Sequence, residues 1–108
     1  LETTHHGDAT VVKVRGELDL YTAPRLREAV LGLVDEGSSR LVLDLDDVGF
    51  VDSTGLGVIV ACLKRCREDG GDLTLVAPEP SPITKLLALT GLVKALPVSG
   101  TLEDALQR

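Results

Sequence analysis

The sequence predicts a single α/β domain: a mixed, mostly parallel β-sheet with flanking helices. Three observations carry this expectation. Runs rich in β-branched and aliphatic residues alternate with segments of helical apolar spacing from one end of the chain to the other. The helical segments are long enough to act as the crossovers that parallel strands require. No repeat, low-complexity tract or linker interrupts the 108 residues, so residues 1–108 are read as one domain, large enough to fold without disulfide or metal staples.

Residues 3–6 read as a weak strand turning back at Gly7 and Asp8. Residues 9–14 (Ala9, Thr10, Val11, Val12, Lys13, Val14) are β-branched enough for a strand ending at Gly16. Thr22 is expected to cap a helix with Pro24 in its first turn, where a missing N–H is harmless. The stripe Leu26, Ala29, Val30, Leu33, Val34 runs to Gly37. Residues 41–45 form an apolar, central strand, and residues 48–51 extend the run. A helix over 54–68 stops at Gly70 and Gly71, and residues 73–76 form another strand. Ser81 caps a helix with Pro82 at its first position; Ile83, Leu86, Leu87 and Leu89 are expected to face inward until Gly91. Residues 93–98 suggest a short edge strand, since Pro97 lacks a ladder donor. Thr101 with Asp104 resembles a capping box for a last helix through Gln107.

Composition narrows the function. A formal charge of −6 disfavours nucleic acid, whose phosphates call for Lys and Arg. No apolar stretch reaches the roughly 18 residues of a membrane span, and no secretory signal pattern is present. With no Met and Leu1 first, the chain is expected to lack its initiator region. Cys62 and Cys66, four apart on a helix and without His nearby, read as reduced thiols, one of them mainly buried; this usage suits the cytoplasm. His5 and His6 lie in a terminal segment before the first strong apolar run; a metal-binding pair is the alternative to the surface pair expected there.

The strand loops at 16–22, 46–54 and 77–81 fall where α/β sheets place their sites. Among them Asp52, Ser53, Thr54, Gly55, Leu56 and Gly57 stand out. Ser53 sits where a helix begins, beside free N–H groups and the positive end of the helix dipole, a place that welcomes phosphate. Capping alone would account for an isolated Asp52 and Ser53. On a helical wheel, however, Leu56, Ile59, Val60 and Leu63 form the inner face with Cys66 at its margin, leaving Gly57 and Val58 outside, as a partner contact would. Catalysis fits poorly. There is no Gly-x-Ser-x-Gly elbow, no nearby His base and no P-loop, and the acidic run Asp44, Asp46, Asp47 lacks a strand-end Lys. The chain is read as no enzyme, with no cofactor and no catalytic or metal residue.

The segment from Phe50 through Val51, Asp52, Ser53, Thr54, Gly55, Leu56, Gly57 and Val58 resembles the signature loop of STAS-domain anti-sigma factor antagonists. Gly16, Glu17, Leu18 and Asp19, followed by Thr22 and Ala23, resemble that family's earlier motif, and the likeness covers essentially the whole chain. It implies a β–α superhelical sheet and a bacterial partner-switching protein of stress response or sporulation. Ser53 would be phosphorylated by an anti-sigma factor serine kinase. The unphosphorylated form would bind that kinase and release the sigma factor, and a metal-dependent serine phosphatase would reset the switch. Asp19, Tyr21, Thr22, Asp52, Thr54, Gly55, Gly57 and Val58 would contact partners; Asp19 would touch the partner or tune the acceptor, unless it is simply a solvated loop carboxylate. Tyr21 is expected to be exposed, and Phe50 is open between core packing and interface. The second functional class is a STAS scaffold, transport subunit or nucleotide-sensing module with no sigma factor.

Overall fold

The computed structural model describes residues 1–107. Strands β1 (Glu2–His6) and β2 (Ala9–Leu18) form an antiparallel hairpin through the expected turn at Gly7 and Asp8. The chain then repeats strand and helix: α1 (Ala23–Asp35), β3 (Arg40–Val51), α2 (Ser53–Glu68), β4 (Asp72–Val76), α3 (Pro82–Thr90), β5 (Val98–Ser99) and α4 (Leu102–Leu106). The five strands lie in chain order, and β2 to β5 are mutually parallel. Each parallel step is bridged by one helix, so every β–α loop opens at the same end of the sheet.

Strand periodicity divides the interior in two. Val12, Val14, Leu41, Leu43, Leu45, Leu73 and Leu75 face a main core shared with Leu26 and Val30 of α1, Ile59 and Leu63 of α2, and Ile83 and Leu87 of α3. Val11, Val42 and Val76 face the other way, under Ala105 of α4 with Leu102 and Leu106 packed around it. The Arg40 guanidinium fastens this side, donating to the Leu106 carbonyl and pairing with Asp8.

Several expectations are corrected. Residues 16–18 and 46–51 belong to β2 and β3 and are not loops. Register shifts between Lys13 and Arg15 and between Gly16 and Glu17, with Gly16 at φ +85°, break the two-residue alternation that marks a strand. The Thr22 side chain makes no cap bond to α1. Leu89 is 84% exposed, because the nine-residue α3 buries only the face carrying Ile83, Thr84 and Leu87. The edge strand shrinks to Val98–Ser99, its approach taken by a turn in which Ala95 N–H donates to Leu92 O. Both thiols, Cys62 and Cys66, are buried, and Val60 is only partly buried; the inner face of α2 is rotated toward Cys62. Ser81 and Thr84 form the expected cap as a reciprocal box, and Thr101 accepts from Asp104 N–H.

Candidate functional site

Two loops meet at the carboxyl end of the sheet, one after β2 and one after β3. Their strands deliver them together, since Leu18 is paired with Val51 and Glu17 with Phe50. The Leu18 carbonyl accepts the Asp52 N–H at 3.2 Å. Asp52 has extended backbone and is the N-cap of α2, its carboxylate accepting the Gly55 N–H at 2.9 Å. Ser53 and Thr54 are thus the first two helical residues, and both are exposed. Among the described residues, no hydrogen bond from their N–H groups or to their hydroxyls is found. The donors at this helix end therefore face solvent beside the Ser53 hydroxyl.

The β2–α1 loop is held from within. The Asp19 carboxylate accepts the N–H groups of Tyr21 at 2.9 Å and Thr22 at 3.0 Å. The Thr22 hydroxyl accepts the Asp19 N–H at 2.9 Å and donates to the Glu17 carbonyl at 2.7 Å. The bond from Thr22 N–H, ahead of the others, holds the Asp19 carboxyl below the usual carboxylate range against an opposing desolvation. Asp19 is therefore the loop's internal clamp, and Thr22, expected as a cap for α1, ties the loop back to β2.

Of the residues expected to meet partners, Asp19, Tyr21 and Thr22 lie on the β2–α1 loop, and Asp52 and Thr54 flank the expected acceptor Ser53 at the start of α2. Tyr21 is 81% exposed, as expected, and Phe50 is 49% exposed, so Phe50 is not a core residue. Gly57 is exposed, with open space where a side chain would stand. Two residues depart from the wheel. Val58 is half-buried and packs on the main core instead of standing clear. Gly55 is buried: a Cβ there would lie 2.5 Å from the Leu18 carbonyl oxygen. Leu20, 62% exposed, joins Tyr21 and Phe50 as a large apolar side chain at this end. Sequence reasoning passed over it, although a leucine between Asp19 and Tyr21 in a turn has no core to enter.

The other chemistry-bearing groups are structural. Lys13, in mid-strand, stands 3.3 Å from Asp47 and 3.7 Å from Asp44, so the acidic run does have a lysine beside it, within an ion-pair ladder on the sheet. His5 and His6 are exposed on β1 and bond to Thr10 and Thr4. No group of three or more potential metal ligands occurs among the described residues.

Comparison with known proteins agrees with this architecture. The STAS domain profile matches residues 1–105. The anti-sigma-B factor antagonist of Staphylococcus epidermidis is 38% identical over 92 residues, 85% of this chain and 84% of that protein. The anti-sigma-B factor antagonist of Bacillus subtilis is 38% identical over 96 residues, 89% of this chain and 86% of that protein. The crystal structure of an anti-sigma factor antagonist from Mycobacterium paratuberculosis superposes with a TM-score of 0.87 at 36% identity, covering 98% of this chain and 89% of that one. With its loops, sheet order and sequence all in agreement, the chain belongs to the STAS domain family.

Proposed function

We propose that this protein is an anti-sigma factor antagonist switched by phosphorylation of Ser53. The carrying observation is the exposed Ser53 hydroxyl at the first turn of α2, beside N–H groups that find no acceptor among the described residues. The names of the relatives support an anti-sigma factor as partner. In the proton balance, the Ser53 oxygen attacks the terminal phosphorus of ATP bound by the partner kinase, its proton leaves to a base of that kinase, and ADP departs. This chain contributes the nucleophile and its setting; the catalytic machinery is the kinase's. A metal-dependent serine phosphatase returns Ser53 to the free hydroxyl.

The unphosphorylated form binds the anti-sigma factor and frees the sigma factor. The added phosphate carries about −1.5 to −2 charge at pH 7 next to Asp52, on a domain already at −6. A contact surface made for a neutral hydroxyl then faces an unpaired dianion. Such a charge costs about 2–5 kcal/mol at an interface, enough for at least a thirtyfold loss of affinity. Two buried free thiols suit a reducing cytoplasm.

The test is incubation with candidate anti-sigma factor kinases and ATP, followed by site mapping. Phosphate is expected on Ser53, and Ser53→Ala should abolish it. Modification of Thr54 instead, or undiminished modification of Ser53→Ala, overturns the assignment.

A further inference from the structure

The sheet has two edges, and they differ. Strand β5 at one edge is only Val98 and Ser99, preceded by Pro97, so it offers almost no ladder to an incoming strand. At the other edge stands β1, five residues long and exposed at every position. It contains no Pro, Lys or Arg, and its register with β2 runs without a bulge. No strand pairs with its outer side among the described residues. Proline, lysine, a bulge and shortness are the devices that blunt an open edge, and β1 has none of them.

The hairpin turn fixes which backbone groups face outward. Gly7 and Asp8 form a two-residue turn with positive φ at Gly7 only, closed by the pair His6 and Ala9. The pair flanking such a turn exchanges both backbone bonds, and alternation then directs the N–H and C=O of Glu2, Thr4 and His6 to β2. Those of Thr3 and His5 point away from β2.

The side chains of β1 identify what lies against them. Turned about a two-fold axis through Thr4 and laid antiparallel on itself, the strand sets Glu2 opposite His6, Thr3 opposite His5 and Thr4 opposite Thr4. A carboxylate meets an imidazole able to donate to it, hydroxyl meets imidazole, hydroxyl meets hydroxyl, and no like-charged pair results. The Arg15 guanidinium, 2.7 Å from Glu2, takes one carboxylate oxygen and leaves the other for the imidazole. This register also suits the backbone. Thr3 and His5, whose N–H and C=O face outward, become the hydrogen-bonded pairs, and Thr4 falls on the non-hydrogen-bonded position between them.

We propose that β1 is a self-pairing edge, on which a second copy of the chain lays its own β1 antiparallel about Thr4 and joins two five-stranded sheets into one. The interface is small, so the dimer forms at high concentration and dissociates on dilution. Asp19, Ser53 and their neighbours take no part, so the pairing stands or falls independently of phosphorylation.

Sedimentation of the full chain over about 10 μM to 1 mM should show a reversible monomer–dimer equilibrium. Thr3→Pro removes an outward donor at an edge position that tolerates proline. It should weaken dimerisation at least about tenfold and leave the circular dichroism spectrum unchanged. His6→Glu sets like charges opposite each other and should weaken the dimer too, with added salt recovering part of the loss. Thr4→Cys places two sulfurs across the two-fold axis, at a Cα separation of about 4.5 Å that a disulfide spans, while Cys62 and Cys66 are buried. Mild oxidation should therefore cross-link Thr4→Cys and leave Leu89→Cys, also exposed but on α3, monomeric. A chain that stays monomeric at the highest concentration, a dimer that Thr3→Pro leaves intact, or equal cross-linking of the two cysteine variants overturns the proposal.

Discussion

Leu18 and Gly55 meet where no side chain fits. The Leu18 carbonyl oxygen lies 2.5 Å from the position a Cβ on Gly55 would occupy, and the same oxygen accepts the Asp52 N–H. One backbone atom thus sets the distance between the β2–α1 loop and the start of α2. A glycine that the helical pattern alone marks as a weak point is what lets the two halves of the site touch.

The two glycines of this helix should therefore respond oppositely. Gly55→Ala gains helix propensity but must push α2 off Leu18, and overpacking of this kind costs about 1–3 kcal/mol. Gly57→Ala meets open space and should stabilise by up to about 1 kcal/mol. Urea unfolding of the two variants, read by circular dichroism, checks the signs.

Phosphorylation should change binding and leave the fold in place. The negative charge arrives at the positive end of α2, where it is favourable, and nothing buried moves to admit it. The far-ultraviolet spectrum should be unchanged while calorimetry shows partner affinity falling at least thirtyfold. Ser53→Asp should reproduce part of that loss and Ser53→Ala none. A large spectral change would make unfolding the mechanism.

Much of this was legible in the sequence, and the failures have physical causes. Alternation of strand and helix, the hairpin turn and the Ser81 cap are local properties and could be read directly. The bulged ends of β2 and β3 could not, since each loses its two-residue period where the register shifts. A helical wheel assigns faces from one helix alone, whereas α1 packs beside α2 and turns its buried side toward Cys62. Val58 fell on the wrong side of that line. Val58→Glu, which a bare wheel reads as a surface change, should therefore destabilise the domain, so Gly57→Glu is the cleaner probe of contact. The clamp inside the Asp19 loop joins atoms two to five residues apart through side-chain oxygens, for which periodicity has no signal.

Acid should act on that clamp. The folded pKa of Asp19 is lowered, chiefly by the Thr22 N–H, so its contribution is complete above the unfolded value of about 3.9 and is lost as pH falls through the lower folded value. Asp19→Asn should be less stable than wild type at pH 7, and the difference should narrow only below about pH 4. Urea titrations at neutral and acidic pH test this; a gap that closes between pH 7 and 5 would contradict it.

The two cysteines should be silent while the domain is folded. Burial pushes Cys62 up to about 12 and Cys66 to about 11, leaving almost no thiolate at pH 8. Iodoacetamide at that pH should leave both unmodified in the native protein and label both in urea, by intact mass. Rapid native labelling would mean that α2 opens readily.

The unequal division of the interior has a consequence for how the domain comes apart. Five residues of α4 rest on three valines, while three longer helices share the opposite face. Amides of α4 should exchange with deuterium well before those of β3, through openings that release this helix without disturbing Ser53. Helix α4 is thus a detachable cover over one side of the sheet, and its loosening should leave the two-loop surface intact.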